Sequence, residues 1–484
     1  MGIGSRMSRA VVDPTEVRIW KIGSGDSGAI SGAEYEPFIP HFADFLSHIR
    51  SQLGAPDECF GRRYQREAVN SGALEIVSPL SGRPTRTTES FVALGRTFYR
   101  FCETEEFFVA AARVKFGYPL IALFVPGANL LVRWDIENDK RGIEPKHLAA
   151  LRDILVAQEG QPLADSGPQP VTILLGHKNF AHHLWNELPA LERLLADMRG
   201  RIPELLVMRE PLGPLEALFP EIAAWKITRL CGRSPSTANG KGKLLVNLGS
   251  YCVTSSIRRR IVAHARGSAS SKARKLDEEI RTTNAPAFWI SVRAQGPKPT
   301  NQREALTELG IRLLRDFPAC TVLFDGFSLP EDWKQSDDDD IRFYRTAAHS
   351  SKKEIDATIA DIAGRLAPSQ SQQFINLGGW SILDCIAIAP LSTCYFCHIG
   401  TVQHKIGWTT EVPGMIHASR RIISLKAAVW YAPSRLENGV MPEAIPANMV
   451  GGGGKEADYE ILDPVGVAET VCQFFRRCTS ESKK

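Results

Sequence analysis

Val171-Thr-Ile-Leu-Leu-Gly-His-Lys-Asn-Phe-Ala-His-His-Leu-Trp-Asn-Glu187 is the stretch that decides the fold. Its first five residues form a short, wholly apolar run, which predicts a strand buried on both faces of a parallel sheet. Further short apolar strands follow it and alternate with amphipathic helices. The helices are predicted at 190–198 and 214–219, and the strands at 204–208 and 243–247. This alternation predicts a first Rossmann-like domain over residues 166–265.

A second set of alternating elements follows and predicts another Rossmann-like domain over residues 284–430. Its predicted strands are 287–291, 320–324, 373–376 and 392–397, and its predicted helices are 301–316, 353–366 and 380–388. Between the two sets, residues 255–283 are polar, basic and partly of low complexity. That composition favours a crossover between domains.

The flanking regions have a different character. Residues 1–165 contain strand-like apolar runs at 98–101, 107–109, 119–125 and 129–133, which predict a β-rich N-terminal region, with a helix expected at 144–159. Residues 431–484 are predicted to form a tail with one amphipathic helix at 466–477. Val467, Val471, Phe474 and Phe475 share a face of that helix, which should therefore pack on the body of the protein.

Composition bounds the class of protein. The chain of 484 residues is 43% hydrophobic and 23% charged, with a net charge of +4 and ten cysteines at irregular spacing. These values are typical of a globular protein with reduced thiols, and no basic run carries the aromatic residues of a nucleic-acid groove. The polar N-terminus predicts no secretory signal, and the apolar runs are too short to span a bilayer. We expect a cytoplasmic protein with at most peripheral membrane contact.

A cluster of titratable residues directly follows the strand at 171–175, where open parallel sheets bind ligands. If a helix begins near Phe180, His183 and Glu187 stand four residues apart on one face and His182 lies over Asn186. A carboxylate beside an imidazole holds its tautomer and raises its basicity, as a base that deprotonates a sugar hydroxyl requires. His182, His183, Asn186 and Glu187 are therefore candidate catalytic residues. The alternative is that these histidines cap the helix or lie in the core.

The turn in His398-Ile-Gly-Thr-Val-Gln-His-Lys-Ile-Gly-Trp408 also follows an apolar strand and leads into a helix. Gly400 lets a ligand approach the backbone closely, Thr401 could cap the helix, and the N–H groups there attract phosphate. His398 and His404 could contact a leaving diphosphate. The alternative is an ordinary strand-to-helix turn. Because the turn lacks the GxGxxG motif, we do not infer a dinucleotide ligand.

Arg293 lies at the end of the predicted strand 287–291 and precedes a polar loop that contains Lys298. A forked, permanently charged guanidinium at a strand end is well suited to hold phosphate, and Lys298 could assist it. The alternative is a surface arginine in a loop.

Three motifs could suggest metal or nucleophile chemistry. Asp337-Asp-Asp-Asp340 lies in a polar stretch, where a charge run is usually solvated, and Cys394-Tyr-Phe-Cys397 lies inside a predicted strand without a second pair. The histidines lack the His-Glu-x-x-His spacing of a zinc site. We therefore predict no metal site and interpret the two cysteines as buried thiols. Asp384 is interpreted as a helix residue facing the cleft or as a cap.

Asn179-Phe-Ala-His-His-Leu-Trp-Asn-Glu-Leu-Pro-Ala-Leu191 resembles the Asn-Tyr-Tyr-His-Trp-Leu-Leu-Asp-Glu-Leu-Pro-Arg-Leu segment of glycosyltransferase family 61 and related bacterial polysaccharide-biosynthesis enzymes. Ser291-Val-Arg293 with Asn301 is similar to that family's Ser-x-Arg strand end and downstream Asn, and His398-Ile-Gly-Thr401 occupies the place of its His-Gly-Ala-Gly turn. The resemblance covers roughly residues 170–425. It implies a GT-B-like pair of Rossmann-like domains and metal-independent inversion at the anomeric carbon, with a nucleotide-sugar as donor and no other cofactor.

The resemblance also implies residue roles. His182 takes the place of the family's histidine and Glu187 that of the Glu before Leu-Pro, while Arg293 takes that of the phosphate-binding Arg. Asn186 stands where the family has Asp, and Ala190 where it has Arg. Because an amide cannot accept the acceptor's proton, the base is expected to be His182 or Glu187.

The leading hypothesis is an inverting glycosyltransferase of bacterial surface polysaccharide (capsule) biosynthesis, with a glycan or lipid-linked molecule as acceptor. A nucleotide-sugar epimerase or a phosphorylase on the same scaffold is a second hypothesis, distinguished by the products formed from donor alone. A non-catalytic glycan-binding or assembly protein, in which Asn186 and Ala190 record lost activity, is a third.

Overall fold

The computed structural model describes residues 17–22, 37–50, 62–112, 117–134, 142–158, 171–199, 202–231, 236, 239, 242–366, 372–424, 435–452 and 458–481. Two compact units make up the chain. The first comprises residues 1–178, 182–209 and 221–251, and the second comprises residues 179–181, 210–220 and 252–484.

The N-terminal part of the first unit is a six-stranded sheet beside a short hairpin. Its elements are β1 (Arg18–Ile22), α1 (Phe42–His48), α2 (Arg63–Ser71), β2 (Leu74–Val77), β3 (Pro84–Thr87), β4 (Ser90–Ala93), β5 (Arg96–Cys102), β6 (Glu106–Ala111), β7 (Leu120–Val125), β8 (Leu130–Trp134) and α3 (Pro145–Ala157). The sheet order is β1-β8-β7-β6-β5-β4, antiparallel except where β1 pairs with β8, and β2 pairs with β3. The predicted β-rich region is confirmed.

The rest of the first unit is a four-stranded parallel sheet. Its elements are β9 (Thr172–Leu175), α5 (Leu188–Asp197), β10 (Glu204–Val207), β11 (Ile227–Arg229) and β12 (Leu245–Asn247). Between β9 and α5 lies the short helix α4 (Phe180–His182), whose first two residues are assigned to the second unit. The order β11-β10-β9-β12 is that of the first four strands of a Rossmann sheet. β11 was not predicted, because only three residues pair and none of them is fully buried.

The two sheets of the first unit share a core. Val92 of β4 packs in one apolar cluster with Leu174 and Leu245 of the parallel sheet. Ser90 continues the connection, because its N–H donates to the Lys243 carbonyl at 2.9 Å and its hydroxyl accepts from the Leu245 N–H at 2.7 Å. The N-terminal region is therefore built onto the sheet that carries the histidine cluster.

The second unit is a six-stranded parallel sheet with helices packed against it. Its elements are α6 (Leu215–Leu218), α7 (Ser255–Ser268), α8 (Ser271–Thr283), β13 (Ala287–Ser291), α9 (Gln302–Asp316), β14 (Thr321–Asp325), α10 (Asp338–Ala363), β15 (Phe374–Asn376), α11 (Ile382–Ile388), β16 (Cys394–His398), α12 (Thr401–Gly407), β17 (Gly414–His417), α13 (Arg420–Ser424), β18 (Glu443–Ala444) and α14 (Pro464–Glu481). The order β15-β14-β13-β16-β17-β18 is that of a complete Rossmann sheet. The predicted α/β class with two Rossmann-like sheets is confirmed.

The C-terminal helix packs as its apolar face predicts. All four residues of that face are buried in α14, and the Phe475 ring stacks on Phe288 of β13 with centroids 4.6 Å apart. Cys394 and Cys397 are buried thiols in β16, as expected. Within the described part of the chain, no helix is both long enough and apolar enough to cross a membrane.

The segment 255–283, which the sequence analysis interprets as a crossover between domains, is helical. The segment forms α7 and α8, whose N-termini are capped by the side chains of Thr254 and Ser270. Each helix buries a regular apolar stripe, which includes Ile257 and Ile261 in α7 and Leu276 in α8. Abundant Arg, Lys and Ser on the exposed faces hide this periodicity in the sequence.

The charge run Asp337–Asp340 is solvated as predicted, since its first three residues are exposed, and it also begins a helix. Asp337 is the N-cap of α10 and accepts from the Asp340 N–H at 2.8 Å, and the other three aspartates form the first turn. Negative charge is favourable there because the helix N-terminus carries partial positive charge. The helix predicted at 353–366 thus begins at Asp338 instead. The strands β17 and β18 were not predicted either.

Candidate functional site

The histidine-rich segment lies at the topological switch point of the first parallel sheet, where β9 and β12 run side by side. Parallel sheets bind ligands outside the carboxyl ends of such strands. Gly176 follows β9 with φ +104°, and a Cβ at this position would lie 2.4 Å from the Arg209 nitrogen. Only glycine fits this turn, which directs the chain from β9 into the helical segment.

Glu187 and His183 form a fully buried pair. The segment His183–Glu187 is a π-helical turn, a feature that is frequent at functional sites. The Glu187 Oε2 accepts from the Gly176 N–H at 3.0 Å and the His177 N–H at 2.9 Å, and it lies 2.7 Å from His183 Nδ1. Burial raises the pKa of this carboxyl, but the bonds from His183 and the His177 N–H outweigh burial, so the pKa of Glu187 is lowered. Glu187 is therefore an ionised anchor for the turn.

His182 and Asn186 form a second pair whose hydrogen-bond direction follows from Ser250. The Asn186 Nδ2 donates to the Ser250 carbonyl at 2.6 Å, so the Asn186 oxygen faces His182 Nδ1 at 2.9 Å. An amide oxygen can only accept, and Nδ1 must therefore carry the proton. The Trp185 indole N–H, 3.3 Å from the same nitrogen, cannot then donate to it. In the neutral imidazole, His182 therefore has an unprotonated Nε2.

These contacts distinguish the two candidate bases. Glu187 and His183 have no exposed surface, whereas His182 is half-buried. The His177 ring lies edge-on to His182 with centroids 4.7 Å apart, which leaves two half-buried imidazoles together at the end of the strand. A general base must reach the proton that it removes. The geometry favours His182 over Glu187.

Arg293 follows β13 at the switch point of the second parallel sheet, beside β16. Its Nε donates to the Gln295 carbonyl at 2.9 Å, and its Nη1 lies 2.7 Å from His398 Nδ1 and 3.4 Å from the Ile399 carbonyl. Within the described residues no carboxylate forms an ion pair with Arg293, and burial lowers its pKa. The guanidinium is thus oriented by neutral groups and retains its charge for an anion.

His398 is the neutral partner of Arg293. His398 Nδ1 lies 2.7 Å from Arg293 Nη1, which can only donate, and 2.6 Å from the Ile399 carbonyl, which can only accept. The hydrogen bond from Arg293 therefore forms in the tautomer whose Nδ1 is unprotonated. Burial, Arg293 and His417 together hold the pKa of His398 well below its usual value. Burial and then Arg293 lower the pKa of His417 to about 3, and its Nδ1 lies 2.7 Å from the Tyr459 hydroxyl. Two neutral imidazoles therefore line this site at neutral pH.

Glycines keep the surroundings of Arg293 open. A Cβ on Gly296 would lie 2.9 Å from Nη2, and one on Gly400 would lie 3.7 Å from Nη1. Gly400 has φ +113° and is itself the N-cap of α12, so the prediction that Thr401 caps this helix is wrong. Thr401 is instead the first helical residue and is exposed.

The remaining predicted ligand residues differ in environment. Lys298 donates its backbone N–H to Asp458 at 3.0 Å, and its side chain is half-buried. His404 is buried and stacks on Trp408 with centroids 3.5 Å apart, which is a packing role. The structure thus brings together His182 with Asn186, His183 with Glu187, and Arg293 with His398.

The sequence analysis does not predict a buried ion pair between Lys405 and Asp325 in the second unit. The Lys405 ammonium in α12 donates to the Asp325 carboxylate and to the Gly326 carbonyl, each at 2.6 Å, and to the Ser328 hydroxyl at 2.8 Å. It fixes α12 to the carboxyl end of β14. The two residues are distant in sequence, and no local motif indicates their pairing.

Side chains that could bind a metal ion are dispersed in the part of the chain that the structure describes. No three His, Cys, Asp or Glu side chains there are grouped closely enough to hold an ion. Asp384, the predicted cap or cleft residue, accepts from the Ser270 N–H and hydroxyl, each at 2.8 Å, and so secures the start of α8.

Comparisons with known proteins give distant similarities in structure. No protein-family model matches the chain, and no curated protein matches its sequence. The E. coli ADP-heptose LPS heptosyltransferase II is 11% identical over 63% of this chain and 99% of its own, with a TM-score of 0.31. The UDP-GlcNAc 2-epimerase of Methanocaldococcus jannaschii is 9% identical over 69% of this chain and 83% of its own, with a TM-score of 0.27. A trehalose-6-phosphate synthase is 13% identical over 60% of this chain and 72% of its own, with a TM-score of 0.24. The strand orders β11-β10-β9-β12 and β15-β14-β13-β16-β17-β18 are those of Rossmann-like sheets, independently of these similarities.

Proposed function

We propose that this protein is an inverting glycosyltransferase that transfers a sugar from a nucleotide-sugar donor to a glycan or lipid-linked acceptor. Arg293 carries the proposal. It is a half-buried cation at the switch point of a Rossmann sheet, held by the Gln295 carbonyl and placed against the His398 imidazole, with no carboxylate partner in the described residues. Such a group fits the diphosphate of a nucleotide donor, since forked N–H donors match phosphate oxygens.

His182 supplies the acceptor chemistry in this proposal. Its Nε2 takes the proton from the acceptor hydroxyl, and the Asn186 oxygen stabilises the imidazolium through Nδ1–H. The oxygen forms a bond to the anomeric carbon as the bond to the diphosphate breaks. Arg293 neutralises the charge that develops on the departing diphosphate. Bacterial surface polysaccharide assembly is the pathway that the sequence resemblance favours.

Calorimetry with UDP, GDP and ADP tests the donor site. The variant Arg293→Ala loses charge-assisted hydrogen bonds of about 1.5–3 kcal/mol, so binding of the preferred nucleotide should weaken roughly 10- to 150-fold. Arg281→Ala is the matched control, because Arg281 is exposed and already paired with Asp277 at 2.8 Å. Equal affinity of Arg293→Ala and the native protein would contradict the donor assignment.

Product analysis tests the reaction class. We expect no isomerised sugar when the protein is incubated with the preferred nucleotide-sugar alone, and a new glycoside when a glycan acceptor is added. An epimerised nucleotide-sugar formed from donor alone would contradict glycosyl transfer.

A further inference from the structure

Gln65, in α2 of the N-terminal region, joins two loops through both ends of its amide. Its Nε2 donates to the Gly117 carbonyl at 3.0 Å and its Oε1 accepts from the Gly249 N–H at 2.9 Å. The side chain is 1% exposed. Because one loop offers an acceptor and the other a donor, only a side chain with both groups satisfies them.

The two loops pack backbone against backbone. A Cβ on Gly249 would lie 2.4 Å from the Gly117 Cα, so the approach requires glycine. A second bond from α2 holds the same region, since the Tyr64 hydroxyl donates to the Tyr118 carbonyl at 2.6 Å. α2 thus fixes the position of Gly249, which follows β12.

Ser250, the next residue, orients the pair that contains the proposed base. Its N–H donates to the Asn186 carbonyl at 2.6 Å, and its hydroxyl donates to the Trp185 carbonyl at 2.8 Å. Its own carbonyl accepts from Asn186 Nδ2, which turns the Asn186 oxygen toward His182. A shift of this loop would release the amide, and a rotated amide would favour the opposite tautomer of His182.

We propose that Gln65 is a positioning residue for the general base, so that the N-terminal region forms part of the reaction centre. Gln65 fixes Gly249, Ser250 then orients Asn186, and Asn186 holds His182 with an unprotonated Nε2. The inference rests on the proposed glycosyl transfer. It assigns to the N-terminal sheet and α2 a role in setting the protonation state of His182.

The test compares the native full-length chain with Gln65→Met, which keeps length and volume but cannot bridge the loops. We expect kcat for transfer to fall roughly 10- to 100-fold, as displaced catalytic groups do, with an unchanged donor KM. Loss of the Asn186 contact also destabilises the imidazolium, so the acidic limb of the kcat–pH profile should move to lower pH. A merely structural role for Gln65 would not move that limb.

Gln302→Met is the matched control. Gln302 is also a buried amide that forms one hydrogen bond as acceptor and one as donor. It accepts from the Arg293 N–H at 2.8 Å and donates to the Arg293 carbonyl at 3.0 Å. Its loss should raise the donor KM and leave the pH profile in place. If Gln65→Met does not fold, Gln65→Asn keeps the amide but is too short to reach both loops, and it should show the same shift.

The outcomes separate the two proposals. A native protein that transfers sugar, with Gln65 variants of native kcat and pH profile, overturns the positioning role alone. A native protein that transfers no sugar from any nucleotide donor overturns the proposed function instead. Ring-nitrogen NMR of 15N-histidine-labelled protein is independent of turnover. A His182 tautomer that is the same in the native protein and in the Gln65 variants would also overturn the positioning role.

Discussion

Replacing Glu187 with glutamine tests how the reactive segment is held. The carboxylate accepts three bonds on one oxygen, from two backbone N–H groups and from His183. A hydrogen bond to a charged acceptor contributes about 1.5–3 kcal/mol and one to a neutral acceptor about 0.5–1.5 kcal/mol. The difference is about 1 kcal/mol per bond, or about 3 kcal/mol for three. Removing a buried charge recovers part of its desolvation, so we expect Glu187→Gln to cost about 2–3 kcal/mol.

The stability difference between the native protein and Glu187→Gln should depend on pH in a defined direction. The folded-state pKa of Glu187 is lowered, so its contribution is present above the pKa of the unfolded chain and is lost as pH falls through the folded value. Thermal unfolding of the native protein and Glu187→Gln should therefore differ most at pH 6–8 and converge in acid. Glu75→Gln, which changes an exposed carboxylate in β2, is the control and should have no effect. A variant as stable as the native protein at pH 7, or a difference that grows in acid, would refute the reasoning.

Three further predictions address both sites. His182→Ala should lower kcat for transfer about 10²- to 10⁴-fold while calorimetry shows an unchanged nucleotide affinity; weakened nucleotide binding would contradict the separate roles. Asn186→Asp places a carboxylate oxygen against the Ser250 carbonyl, in place of a donor 2.6 Å away, and should destabilise the protein by about 1–3 kcal/mol in thermal unfolding; a stabilised variant would show that the amide orientation is wrong. His417 titrates at about 3 when folded and near 6.5 when unfolded, so the unfolded chain binds more protons between these values. Protonation of His417 in the unfolded chain should therefore lower the free energy of unfolding by about 2 kcal/mol between neutral pH and pH 5. In His417→Phe, the free energy of unfolding should change less with pH over this range.

The sequence predicts the elements whose burial is uniform. β9, β13 and β16 are short apolar runs because each is covered on both faces of a parallel sheet, and their boundaries differ from the prediction by at most two residues. α7 and α8 were not predicted because Arg, Lys and Ser are abundant in them and obscure the spacing of the few buried apolar residues. The three-residue strand β11 has no apolar signature at all.

The candidate sites were predictable as neighbours along the chain but not as hydrogen-bond networks. The four-residue spacing of His183 and Glu187 correctly predicts their contact, as does that of His182 and Asn186. The backbone donors to Glu187 arise from the turn after β9, and Ser250 reaches Asn186 from 64 residues away. Such contacts depend on sheet order, which a single sequence does not specify.

Asn186 acquires a different meaning once Ser250 is taken into account. By resemblance it replaces an aspartate, which suggested a lost base. In the structure the side chain must donate to the Ser250 carbonyl and accept from His182 Nδ1–H at the same time, and an ionised carboxylate cannot donate. The amide is thus the residue that this loop requires. The same amide oxygen orients the imidazole through Nδ1–H, which directs Nε2 of the neutral ring to the role proposed for it.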